Sequence, residues 1–379
     1  MREVLFQTPD LLVRHTKGKR PGCIVTFDSY TDVRSLDRAG FGEAFFAQRD
    51  ISAVHFISRD NDWWQYPYIL DAIASVRAHL EPSGGTIATY GASMGGYAAV
   101  RFAPHVNAIR AFAIAPQFTI DPSIVPFETR WLQDAHRIRW LPFLNGKISG
   151  ATETIIAYDP HARDDRKHVM LIASDIRIRE IKLPFADHSA LAVLHEMDEL
   201  SALLHQIILP EHLDISETRF RKKRRQSSTY LASVAQYLYP RHSKWSLNLA
   251  ANAFHFPHPS RLAFETFANI LRSEKRPREA VTILQRAADL TERNVAVLHS
   301  LSCSQREAGL LDDSYVTALE CVTRSPEVAL FHKWLADLLI ERGDRATARQ
   351  YVAQAIALTP NDDELVSMHK RVMSMTSLT

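Results

Sequence analysis

Gly91-Ala92-Ser93-Met94-Gly95 sets a hydroxyl between two glycines, after the strand-like run "TIATY" and before the helix-like run "GYAAV". This G-x-S-x-G pattern suits a nucleophile on a sharp strand-to-helix turn, where the serine backbone is strained and larger flanking side chains would collide with the neighbouring elements. The turn also aims a positive helix N-terminus at the serine, which favours a developing negative charge. Such a serine needs a base. Of the 17 histidines, His188 in "LPFADHSAL" is the first choice, because it follows the last strand-like run and precedes the last apolar helix of the first half. His161, His168 and His195 are its rivals. The base in turn needs an acid that accepts its second N–H and fixes its tautomer. "IIAYDPHARDDRKHVM" offers Asp159, Asp164 and Asp165 on one loop. Each has an ordinary structural use as well, Asp159 opening a turn before Pro160 and Asp164 or Asp165 capping a helix.

The elements that must carry these residues alternate. Strand-like runs at residues 22–30, 51–58, 86–91, 109–116, 153–160 and 178–185 are separated by stretches at 68–80, 94–103 and 189–208 whose apolar spacing is closer to 3.6 than to 2. "EVLFQ" at the N-terminus is read as a first strand. The order is that of an α/β domain, a mostly parallel sheet with helices on both faces. Residues 117–152 form an insertion too long for a plain crossover, expected to cap a pocket. Its Phe118, Phe127, Trp131, Trp140 and Phe143, with Trp63 of the loop "DNDWWQYP", either line that pocket or pack the cap onto the sheet. Arg130, Arg137 and Arg139 would meet an anionic or sugar-like substrate.

Through Ser93, the order serine, aspartate, histidine and the strand-helix alternation, residues 1 to about 209 resemble the α/β-hydrolase superfamily. The resemblance implies a serine nucleophile, a histidine base and a covalent acyl-type intermediate. It places the acid a few residues past its strand, which favours Asp165 with Asp159 as the alternative. It further implies an oxyanion hole of two backbone N–H groups, one from Met94 and the other from Asp28 or Ser29. The loop there, "FDSYTD", departs from the His-Gly type of the family, and the Asp28 carboxylate is expected to face away or to bond the loop backbone. The activity implied is hydrolysis of a small-molecule or glycan-borne ester or thioester. An acyltransferase with the same triad, or a catalytically inactive interaction protein, are the alternatives. The substrate pocket is assigned to Phe118, Arg130, Trp131 and Trp63, with no cofactor and no metal.

From about residue 227 the strand-like runs cease, and the chain repeats when cut every 34 residues at 227, 261, 295 and 329. Leu335, Ala336, Leu339, Gly343, Ala348, Val352, Ala355 and Pro360 mark one unit. Leu301, Ser302, Gln305, Gly309, Ser314, Ala318, Cys321 and Pro326 stand one period earlier, and Phe267, Ala268, Leu271, Lys275, Ala280, Leu284, Ala287 and Glu292 one before that. Small residues where helices cross and a turn between them make a stacked helix pair. The segment resembles tetratricopeptide repeats, and it implies a protein partner. A terminal helix at 363–373 is expected to cap the stack, and the basic run at 210–226 to form a solvated linker.

Composition bounds the rest. In 379 residues a net charge of +2 supplies no global field for nucleic acid, and the 46% hydrophobic content is that of a folded chain. Cys23, Cys303 and Cys321 make no C-x-x-C pair. With no apolar run long enough to span a bilayer, a cytoplasmic protein is expected.

Overall fold

The apolar runs of the first half become strands of one sheet in the computed structural model, which describes residues 2–150, 152–209, 213–359, 365, 367 and 368. The strands are β1 Arg2–Gln7, β2 Leu11–Thr16, β3 Cys23–Phe27, β4 Ser52–Ser58, β5 Ile87–Ala92, β6 Arg110–Ile114, β7 Glu153–Tyr158 and β8 Ile178–Lys182. Their order across the sheet is β1-β2-β4-β3-β5-β6-β7-β8. The β1–β2 and β2–β4 pairs are antiparallel, and every other pair is parallel. Every residue of β3, β5 and β6 is buried, as central strands covered on both faces require.

The helices of this half are α1 Glu43–Gln48, α2 Ile69–Leu80, α3 Met94–Phe102, α4 Leu132–Arg137, α5 Pro142–Asn145, α6 Arg163–Asp175, α7 Ala190–Glu196, α8 Leu200–Ile208 and α9 Glu217–Lys223. Phe27, Phe56, Ile69, Val76, Ala98 and Phe102 belong to the largest apolar cluster, which seats α2 and α3 on the sheet. Val100, Ala113, Ile156, Tyr158, Val169 and Ile172 form a second, closing β6, β7 and α6. The single helix expected over 189–208 is two, broken where Asp198 takes a left-handed φ of 55°.

The chain divides into two compact units, Met1–Tyr230 and Leu231–Thr379. The basic run expected to form a solvated linker precedes this boundary, and Arg221, Lys222 and Arg225 in it are exposed. Half of its described part is α9, followed by a 3₁₀ turn at Arg224–Gln226; in α9 Phe220 is buried and Arg219 and Lys223 both pair with the buried Glu199. One apolar anchor and one shared carboxylate overcome the self-repulsion of the charges.

The second unit is all helical among its described residues. Four pairs follow one another: α10 Ser228–Leu238 with α11 Ser243–Phe254, α12 Arg261–Ser273 with α13 Pro277–Leu290, α14 Val295–Glu307 with α15 Leu311–Arg324, and α16 Ala329–Glu341 with α17 Arg345–Leu358. The starts of α12, α14 and α16 fall at the expected period. Ala268, Ser302 and Ala336, like Ala280, Ser314 and Ala348, are wholly buried where helices cross. Between the helices Lys275, Gly309 and Gly343 each adopt a left-handed φ, so the next N–H can reach back to Leu271, Gln305 and Leu339. Of the expected capping helix at 363–373, only residues 365, 367 and 368 are described; Leu365 and Met368 pack against Ala336, Val352 and Ala355. No helix among the described residues is long and apolar enough to cross a membrane.

Candidate functional site

Strand β5 ends at Ala92 and α3 begins at Met94, so one residue makes the whole reversal. That residue is Ser93, with φ 52° and ψ −120°, a combination that costs a non-glycine residue about 1–3 kcal/mol. Its N–H donates to the Ile114 carbonyl at 2.9 Å and its carbonyl accepts from Tyr97 N–H at 3.0 Å. A Cβ on Gly91 would stand 2.2 Å from the Gly95 oxygen, and one on Gly95 would stand 2.2 Å from the Phe27 oxygen. The two glycines therefore let α3 start against the end of β3.

His188 lies on a short 3₁₀ turn, Asp187–Ser189, after β8. Its Nε2 is 3.0 Å from Ser93 Oγ and its Nδ1 is 2.8 Å from Asp165 Oδ2. A carboxylate at Nδ1 accepts that ring's N–H and leaves the Nε2 lone pair facing the serine. Asp165 sits in the first turn of α6 and is 1% exposed. Its other oxygen pairs with Arg130 Nη2 at 2.8 Å. Burial alone would raise the Asp165 carboxyl, but the hydrogen bond from His188 and the charges of His188 and Arg130 outweigh it and hold it below the usual range.

The other aspartates do different work. Asp159 accepts from Asp187 N–H and His161 N–H, both at 2.8 Å, and so fastens the loop that carries His188. Asp164 pairs at the surface with Lys167. Of the rival histidines, His195 is exposed, the His161 ring packs on Phe185, and His168 is wholly buried. Phe118 N–H donates to His168 Nδ1, which puts the His168 proton on Nε2, 3.0 Å from Glu128. Glu128 also holds Arg130. Burial would raise the Glu128 carboxyl, but His168 and Arg130 together bring it down to about 2.

Four expected site residues stand otherwise than expected. The Asp28 N–H donates to the Phe56 carbonyl, and its carboxylate accepts from Phe41 and Ser58 N–H and pairs with Arg38 at 2.7 Å. Burial nevertheless pushes this carboxyl up to about 6. With both ends of Asp28 occupied, Ser29 is the remaining backbone candidate opposite Met94; its hydroxyl donates to the Ala92 carbonyl, joining the loop to the residue before Ser93. Phe118 belongs to the second apolar cluster rather than to a pocket. Arg130, held by Glu128 and Asp165, is a support of the site and not a free cation. Trp63 is 0% exposed, so it backs the site from within. Trp131 stands 5.4 Å from the His188 ring and 5.6 Å from Trp63, with Tyr30 6.2 Å beyond Trp63. Elsewhere in the insertion, Arg137 pairs with Asp134, Phe143 is half exposed, and Trp140 packs on the main core.

Gln117 escaped the sequence reading. It is 1% exposed, its Nε2 donates to Ser93 Oγ at 3.1 Å, and its Oε1 accepts from Trp63 Nε1 at 3.3 Å. Neighbouring Trp64 donates its indole N–H to the Met94 carbonyl at 3.1 Å. Met94 opens α3, and its N–H has no intrahelical acceptor. Ser93 Oγ can thus accept from Gln117 while donating to His188.

No protein-family model matches the chain, and no curated protein matches it. Solved structures do. The TPR protein YrrB, described as having an unusual peptide-binding site, is 18% identical, with 50% of this chain and 91% of that chain covered and a TM-score of 0.35. PilF of Pseudomonas aeruginosa is 17% identical, with 39% and 68% covered and a TM-score of 0.35. The Yersinia enterocolitica secretion chaperone SycD, in complex with a peptide of the translocator YopD, is 18% identical, with 30% and 87% covered and a TM-score of 0.27. The helical repeat of the second unit rests on its own helix boundaries and crossing residues.

Proposed function

We propose that the first unit is a serine hydrolase of the α/β-hydrolase type, cleaving an ester or thioester with Ser93 as nucleophile, His188 as general base and Asp165 as the acid that orients it. The observation that carries this reading is the continuous line Ser93 Oγ, His188, Asp165, at 3.0 and 2.8 Å, with the serine on a strained turn at a helix start. Ser93 Oγ attacks the acyl carbon as its proton passes to His188 Nε2, and the imidazolium is stabilised by Asp165. The tetrahedral oxyanion faces the Met94 N–H. The leaving group departs with the proton from His188; a water then gives its proton to the same nitrogen and attacks the acyl-serine, and as the C–Oγ bond breaks His188 returns that proton to Ser93 Oγ and the acid is released. Gln117 holds Oγ in the rotamer that faces the base.

The helical unit supports a second, additive role, docking of a protein partner or a carrier of the substrate, because repeats of this kind build an extended surface from neighbouring units.

A fluorophosphonate probe tests the hydrolase reading. Labelling of the native chain, absent in Ser93→Ala and in His188→Ala with folding intact, is expected. Equal labelling of Ser93→Ala would sink the proposal.

A further inference from the structure

The pairing register sets Glu3 of β1 opposite His15 of β2, and the last turn of α2 brings His79 to the same pair. His15 Nδ1 lies 2.9 Å from His79 Nε2, and one ligand atom from each of the three residues lies within 4.8 Å of the others. On its far side, His15 Nε2 is 2.7 Å from Ser52 Oγ. His15 is 7% exposed, His79 is half-buried and Glu3 is open to solvent. None of these residues takes part in the arrangement around Ser93.

We propose that Glu3, His15 and His79 bind a divalent ion of the zinc class, with solvent completing its shell. Metal–nitrogen bonds of about 2.0–2.1 Å put two nitrogens roughly 2.9 Å apart at a right angle and roughly 3.4 Å apart at the tetrahedral angle. The two rings therefore stand within a few tenths of an ångström of a shared ion. Ser52 supplies the outer contact such a site needs: by accepting the Nε2–H it fixes the His15 lone pair on Nδ1, facing His79. Burial, with His79 beside it, holds the His15 ring below the ordinary histidine range, and the unprotonated ring is the form that ligates. Two imidazoles and one carboxylate suit zinc and its first-row neighbours, whereas magnesium and calcium prefer oxygen shells. The ligands come from an edge strand, its partner and a covering helix, so the ion would fasten the sheet edge to α2.

A bare hydrogen bond between the two imidazoles also satisfies 2.9 Å, and experiment separates the two. Full-length protein without a histidine tag is stripped with chelator, then titrated with Zn²⁺ by calorimetry and with Co²⁺ by visible absorption. One tight equivalent is expected, with affinity falling on the order of 100-fold in His79→Ala and about 10-fold in Ser52→Ala while circular dichroism is unchanged. A native chain that takes up no Zn²⁺ at micromolar concentration, or a His79→Ala chain that binds as tightly as the native one, overturns the site. Where His79→Ala does not fold, Glu3→Gln at its solvent-facing position decides: unchanged affinity overturns the proposal, and a fall of about 10-fold or more supports it.

Discussion

Asp165 has two partners, and removing each should leave a different signature. Asp165→Asn donates where the carboxylate accepted and favours the wrong tautomer of His188, so turnover should fall on the order of 10⁴-fold. Asp159→Asn keeps an oxygen for the Asp187 N–H and should retain most turnover; the opposite ranking in steady-state kinetics would reassign the acid. Arg130→Met acts mainly through Asp165, the Arg130 Nη1 lying a longer 3.4 Å from His188 Nδ1. Its charge helps depress that carboxyl, so its loss lets the carboxyl protonate at higher pH, and the acidic limb of kcat/KM should move upward. The stability tied to Asp165 runs the same way. It is present above the unfolded-state pKa and lost as pH falls through the depressed folded value. Ser93→Gly should abolish labelling yet raise unfolding free energy by about 1 kcal/mol, because glycine takes the turn without strain. Ser93, His188 and the aspartate loop were legible from residue type and chain order. Gln117 was not, because a glutamine one residue past a proline carries no pattern; only the register of β6 against β5 aims it at Oγ. Glu3, His15 and His79 were hidden for the same reason, being far apart in the chain and joined only by a strand pairing and a helix end.

At the scale of elements, hydrophobic periodicity located the strands from residue 22 onward, since the central parallel strands are nearly unbroken apolar runs and the edge strand β8, with Arg179, Glu180 and Lys182, is the exception. It left β2 unmarked, because "LLVRHT" alternates only in part. It also merged α7 and α8, whose break depends on the backbone at Asp198 and on the buried Glu199 beneath it. In the helical unit the crossing residues were readable because only small side chains fit there. The loop positions show the same rule with one exception, Lys275, which adopts φ 59° where Gly309 and Gly343 stand in the next two repeats. Lys275→Gly should therefore stabilise this unit by about 0.5–1 kcal/mol, measurable by urea unfolding.

For the whole molecule, two units with separate cores imply two unfolding transitions rather than one. Leu335→Ala, at a wholly buried position in α16, should cost about 2–5 kcal/mol and lower one transition, with probe labelling of Ser93 unchanged. A common shift of both transitions in calorimetry would mean that the units unfold as one. The spacing of the helical pairs also bears on how such a chain can be cut and rejoined. Arg272 pairs with Glu307 and Arg306 with Glu341, rungs one period apart. Excising residues 295–328 removes Arg306 and Glu307 together and brings Glu341 to the place where Arg272 finds its partner. The shortened chain keeps this rung but not every other, since Arg342, which pairs with Asp312, would meet Arg278 at the equivalent position; any excision off the period would in addition rotate the following helices out of phase by about 100° per residue. The array can thus be shortened by a whole period with the backbone phase kept, and the charges at positions 278 and 342 then decide how well the new junction closes.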